Sequence, residues 1–186
     1  MLAVKYCKMP FIAAVKGFAL GGGCELLLHS AGVIANIESN VGLVEMQVGL
    51  VPGWGGITEV MIRECDNEKT LTNMAVFGKT SSSIYLQSDF ALKNFKNNMN
   101  IDYLLEEAII YATQFAEDYQ PPQPLTADIK VMNIVVDNPH SQQILDLLLP
   151  KLAGNLSEED LLNIERQVFI ELVKKPETLE KIAKFC

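Results

Sequence analysis

The sequence predicts an α/β protein in which strands occupy the first third and helices the remainder. Three observations lead there. A strand-like apolar run, Phe11 to Gly17, leads through three consecutive glycines, Gly21 to Gly23, into an apolar helix-like run. After Glu64 the glycine-broken pattern gives way to segments whose apolar residues recur at spacings of three and four. The charge changes as well: 4 basic and 5 acidic residues up to Glu64, then 11 and 18, for a net −8. These shifts divide the chain into a first domain, residues 1–64, and a helical region, residues 65–186.

In order, Leu2 to Tyr6 reads as the last turn of a helix that Lys8-Met9-Pro10 ends. A helix that short is not stable alone, because nucleation costs more than so few hydrogen bonds return. The chain is therefore expected to begin inside an element. Phe11 to Gly17 is a buried strand, Glu25 to Ala31 a helix, Val33 to Asn36 a second strand, and Ser39-Asn40 a turn. Val41 to Gly56 is broken by Gly42, Gly49, Pro52, Gly53, Gly55 and Gly56, which suits an active-site loop on the end of a sheet. A short helix to Arg63 follows.

From Cys65 to Asn100 the chain is polar, and one helix near Lys69 to Phe77 followed by loops is expected. Asp102 can cap a helix with a stripe of Leu105, Ala108, Ala112, Phe115 and Tyr119. Pro121 to Lys130 is an extended arm, and Ser141 to Leu149 is helical. Ser157 and Asp160 form a capping box for a helix reaching about Val173, with a stripe of Leu161, Ile164, Val168 and Leu172. Pro176 opens a last short helix.

Composition narrows the function. Of 186 residues, 49% are hydrophobic and 20% charged, which suits a soluble globular protein with a real core. The acidic second half argues against nucleic acid or an anionic membrane surface as partner. No apolar run approaches about 18 residues and no leader pattern opens the chain, so no membrane insertion and a cytoplasmic location are expected. Cys7, Cys24, Cys65 and Cys186 show no CxxC, and neither His29 nor His140 stands at ligand spacing, so no metal is expected. Cys24 reads as a small residue packed under the glycine turn.

Gly21-Gly22-Gly23 has two readings. Glycine lets backbone approach a ligand and adopt positive φ, so a glycine turn opening a helix aims N–H groups at an anion or a developing oxyanion. It can equally be a tight strand-to-helix connection.

Read together, AAVKGFALGGGCEL and VGLVEMQVGLVPGWGG resemble the crotonase (enoyl-CoA hydratase/isomerase) family over Pro10 to Gly56. The YQPPQP arm and LLNIERQVFIELVKKPETLEKI resemble the C-terminal end of fused 3-hydroxyacyl-CoA dehydrogenase/enoyl-CoA hydratase proteins of fatty-acid β-oxidation. The resemblance implies a partial ββα spiral core followed by a helical C-terminal region, acting in syn hydration of 2-enoyl-CoA. It implies that the N–H of Gly22, with Gly21 beside it, holds the thioester oxygen. Glu25 would orient and deprotonate water, and Glu45, twenty positions on, would protonate the α-carbon. Gly53 matches a glycine near the water, and Trp54 stands where the family has a small residue, narrowing the acyl pocket. Keeping both glutamates favours hydratase over isomerase.

In that family the second oxyanion donor, the adenine pocket and the first spiral turns come from sequence upstream of Met1. An open edge on the Phe11 to Gly17 strand is therefore expected, together with partners: further copies, as in the family's trimers, or a separate N-terminal fragment. No GxGxxG follows a strand, so no NAD and no other cofactor is expected, the substrate carrying coenzyme A. The alternatives are a non-catalytic remnant or assembly module, and an acyl-CoA binder without turnover.

Overall fold

The computed structural model describes residues 1–63, 67–77 and 80–184; Cys65, Cys186 and the expected boundary at Glu64 lie outside the described residues. In chain order it contains α1 (Leu2–Lys5), β1 (Ile12–Val15), β2 (Phe18–Leu20), α2 (Gly22–Leu28), β3 (Gly32–Asn36) and β4 (Asn40–Gly42). A 3-10 turn, Glu45–Val48, precedes α3 (Gly56–Ile62) and α4 (Asn67–Phe77). Next come β5 (Ser81–Ser82), α5 (Leu86–Asp89), β6 (Phe95–Asn98) and α6 (Leu104–Ala116). The chain ends in β7 (Thr126–Ile129), α7 (Pro139–Leu148), β8 (Gly154–Ser157), α8 (Glu158–Val173) and α9 (Pro176–Ile182). Two compact units result, each drawn from two stretches: Met1–Gly42 with Thr80–Gln123, and Leu43–Lys79 with Pro124–Cys186.

The first unit is built from ββα turns. The strand expected over Phe11 to Gly17 is β1, buried only at Val15 because it stands at one end of its sheet; Gly17, at φ +71°, follows it, and a further strand, β2, runs where only the glycine turn was expected. The Ser39 hydroxyl donates to the Val15 carbonyl and the Asn40 N–H to that of Gly17, which pins the bend. β1 then pairs parallel with β3, and β2 parallel with β4, in two different sheets. All five residues of β3 are buried, as expected for the middle strand of a parallel sheet. β1 and β2 each stand at the end of their sheet.

Residues 81–98, expected as loops, supply β5, α5 and β6, and β6 is the third strand of the β1–β3 sheet. Its polar sequence is tolerated because its buried amide is satisfied. Asn36 Nδ2 donates to Asn98 Oδ1 at 3.1 Å, and Asn98 Nδ2 donates to Glu107 Oε2 at 3.0 Å. The Asn100 side chain, rather than that of Asp102, accepts a backbone N–H at the following turn, and that N–H belongs to Asp102. Of the stripe expected on α6, Ala108 is buried and packs with Ile34, and Ala112 and Phe115 are half-buried; at the first turn Leu104 is buried in place of Leu105, which is exposed.

The second unit is helical with one antiparallel pair, β7 with β8, so the proline arm ends in a strand. Asn138 caps α7, its side chain accepting from the His140 and Ser141 N–H groups. Ser157 and Asp160 form the expected capping box at the start of α8. Leu161, Val168 and Leu172 are fully buried along α8. Glu165 is buried in the same stripe, which an apolar pattern does not foresee. Among the described residues no helix is long and apolar enough to cross a membrane.

Candidate active site

In the first unit the glycine run itself forms the start of α2, three residues earlier than the apolar periodicity suggests. Gly21 is the N-cap at φ 55°, ψ −122°, a conformation that L side chains rarely adopt. Its N–H donates to the Gly42 carbonyl at 2.9 Å, and its own carbonyl accepts from Glu25 N–H at 2.9 Å. The N–H groups of Gly22 and Gly23 fall in the first turn, where helix geometry provides no intrahelical acceptor. Glu25 sits in that same turn and is 2% exposed. Cys24 is fully buried beside it, in the packing role expected of it. His29 closes the helix, its Nδ1–H donating to the Glu25 carbonyl at 2.7 Å.

Glu45, Gly53 and Trp54 belong to the second unit. Glu45 opens the 3-10 turn and is half-buried, with its Oε2 atom fully enclosed. Its carbonyl accepts from Leu50 N–H at 3.1 Å, closing the turn over Gly49. Gly49 has φ +86°, and a Cβ there would lie 2.5 Å from His140 Nε2 and 2.8 Å from Thr178 Oγ1. The Thr178 hydroxyl donates to the Gly49 carbonyl at 3.1 Å. The Glu45 turn is thus fixed by α7 and α9. Gly53 is exposed and backs onto Phe169, whose ring atoms would lie 3.1 Å from a Cβ. Trp54 is 62% exposed. Glu165 accepts from Gly55 N–H at 2.7 Å and from the Thr58 N–H and hydroxyl at 3.0 and 3.1 Å.

Burial pushes the His140 imidazole below its ordinary pKa, Lys181 and Lys175 push the same way, and Glu177 opposes them. No group of three or more His, Cys, Asp or Glu among the described residues could hold a metal ion.

Residues 1–84 match the family model for enoyl-CoA hydratase/isomerase. Over 193 residues the chain is 37% identical to a protein described as a fatty acid oxidation complex trifunctional enzyme in Rickettsia felis. It is 37% identical over 194 residues to the protein of that description in Rickettsia prowazekii. The chain belongs to the enoyl-CoA hydratase/isomerase family. Each alignment takes in 98% of this chain, which spans 26% of the length of each relative. The family fold is also that of a carnitinyl-CoA hydratase from Mycobacterium avium, which superimposes with a TM-score of 0.66 at 21% identity. That superposition covers 98% of this chain and 62% of the other.

Within this family member, Gly21, Gly22 and Glu25 are gathered on one turn of the first unit, while Glu45, Gly53 and Trp54 line one stretch of the second. The residues that brace that stretch, Glu165, Phe169, His140 and Thr178, carry no motif. One signal was available in the sequence. Glu165 is a charged residue four after Leu161 and three before Val168, in the middle of an apolar stripe. A carboxylate at such a place requires donors when the helix packs.

Proposed function

We propose that this chain is an enoyl-CoA hydratase-type module of fatty-acid β-oxidation, adding water in the syn sense across a 2-enoyl-CoA. The observation that carries this is the glycine turn with Glu25 buried in its first helical turn, in a chain that belongs to the hydratase family. Addition of water moves electron density onto the thioester oxygen, and the Gly22 N–H is the donor for that oxygen, with Gly21 setting the turn. Loss of one such donor typically costs about two to three powers of ten in rate.

Glu25 accepts a proton from the attacking water as the new C–O bond forms at the β-carbon. Glu45 delivers a proton to the α-carbon as the enolate collapses, and proton exchange with solvent restores both groups. The reaction requires one carboxyl protonated and one ionised at the start of each turnover. Gly53 leaves room beside the water, and Trp54 bounds the acyl chain. The substrate supplies coenzyme A, the chain needs no cofactor of its own, and its place is the cytoplasm. It is a portion of a dehydrogenase/hydratase multifunctional lineage, in keeping with its relatives.

A second reading is favoured by the sheet edges. Among the described residues β1 and β2 end their sheets, and Phe18 of β2 is 75% exposed. Edge strands of this kind pair readily with further polypeptide. The chain would then serve as an assembly module, joining copies of itself or a separate N-terminal fragment, with or without acyl-CoA binding. One assay separates the readings: decay of the conjugated-thioester absorbance of a short 2-enoyl-CoA, for the chain alone and with the family's N-terminal portion added. Activity lost in both Glu25→Gln and Glu45→Gln supports the hydratase. No activity in any combination leaves the assembly reading.

A further inference from the structure

The Gly53-Trp54-Gly55 stretch is seated on one face of α8. Glu165 Oε1 accepts from Gly55 N–H at 2.7 Å, and Oε2 accepts from both the N–H and the hydroxyl of Thr58. The carboxylate is 1% exposed, and every donor named belongs to Gly55 or to the first turn of α3. One helical turn along, the Phe169 ring stands against Gly53. The backbone is therefore gripped immediately before and immediately after Trp54, while the indole itself is 62% exposed. Gly55 sits at φ +105°, so the chain enters α3 through a conformation open to glycine and rarely adopted by other residues.

The donor set explains the choice of side chain. At least three donors meet two oxygens, and an ionised carboxylate accepts at both without bringing a donor of its own. Glutamine would turn an NH2 toward an N–H group, and aspartate is one methylene short.

We infer that Glu165, with Phe169 beside it, is the positioning residue of the Trp54 stretch, and that through Trp54 it sets acyl-chain preference. The second half rests on the hydratase reading proposed above; the first half does not. A purely structural cap would lower stability and leave Trp54 unchanged in the folded protein, so the two roles differ in a measurable way.

Trp54 is the single tryptophan of the chain, so its fluorescence reports on this stretch alone. In the folded baseline, Glu165→Gln is expected to shift the emission maximum and make acrylamide quenching easier. Thr58→Val, which removes one donor and keeps the shape, shifts both less and in the same direction. Unchanged emission and quenching in folded Glu165→Gln overturn the inference, and if that variant does not fold, unchanged values in Thr58→Val overturn it instead. The acyl half is read by calorimetric binding of butyryl-CoA and decanoyl-CoA. A changed affinity ratio in the variant supports it, and an unchanged ratio with a shifted Trp54 overturns it. Binding of neither thioester by the unsubstituted chain overturns the hydratase reading and the acyl half with it, leaving the seating of Trp54 to be decided by fluorescence.

Discussion

The glycine turn of the first unit and the Glu45 turn of the second are held by opposite means. Gly21, Gly22 and Glu25 follow one another through a strand, a turn and a helix, and backbone bonds fix them: Gly21 to Gly42, Glu25 to Gly21, β2 to β4. In the second unit the same task falls to single side chains from far along the chain. Thr178 reaches Gly49 across 129 positions, and Glu165 reaches Gly55 across 110. Backbone pairing survives most substitutions, because every residue brings the same donor and acceptor. A side-chain brace depends on one residue. The second unit should therefore be the easier one to break with a single change.

The largest expected effect is chemical and equal in the two units. Glu25→Gln and Glu45→Gln are each expected to lower hydration of a short 2-enoyl-CoA by about 10²–10⁴-fold, with unchanged circular dichroism. A loss confined to one of them would break the pairing of roles. Next come two glycines with positive φ. At Gly17 a Cβ would meet nothing within 4 Å, so Gly17→Ala should cost about 1–2 kcal/mol from backbone strain alone. At Gly49 the Cβ would also collide with His140 and Thr178, so Gly49→Ala should cost about 3–5 kcal/mol. Equal denaturation shifts for the two would remove the contrast between open backbone and braced backbone.

Ser157→Ala should cost about 1 kcal/mol, seen as faster amide exchange in the first turn of α8. The helix α2 has no comparable lever, since its N-cap, Gly21, makes no side-chain bond. The smallest effect is on pH. His140 is held below its ordinary pKa by burial first and by Lys181 and Lys175 after it, so the folded state disfavours the proton that the unfolded chain takes up near pH 6.5. Stability is full above about pH 6.5 and declines as pH falls below it. His140→Gln should flatten that decline in thermal melts between neutral and mildly acidic pH; a slope identical to the unsubstituted protein would show that His140 is not its source.

Much of the fold was legible where the signal is local. β3 reads as an apolar run, α3 and α7 as short helices between glycine or proline breaks, and α8 announces itself through Ser157 and Asp160. The losses have a common physical cause, namely partners distant in sequence. β6 reads Phe-Lys-Asn-Asn and looks like loop until Asn36 and Glu107 satisfy Asn98. β2 goes unread because the partner that makes it a strand, β4, lies 22 positions on in a sheet other than that of β1 and β3. α6 was legible as a helix with most of its inner face, and missed only at its first turn, where Leu104 rather than Leu105 meets Ile34.

The sequence by itself determined the local chemistry: glycines able to open a helix at positive φ, Glu25 within its first turn, Glu45 twenty positions later, and a capped helix near the end. Those properties are residue identities and spacings along a short run of chain, which a linear reading contains. Only the tertiary structure decided what braces the second carboxylate and the Trp54 stretch. Glu165, Phe169, His140 and Thr178 acquire their roles from residues of the Gly49 to Thr58 stretch, more than ninety positions away, and no periodicity encodes which groups a packed helix will meet.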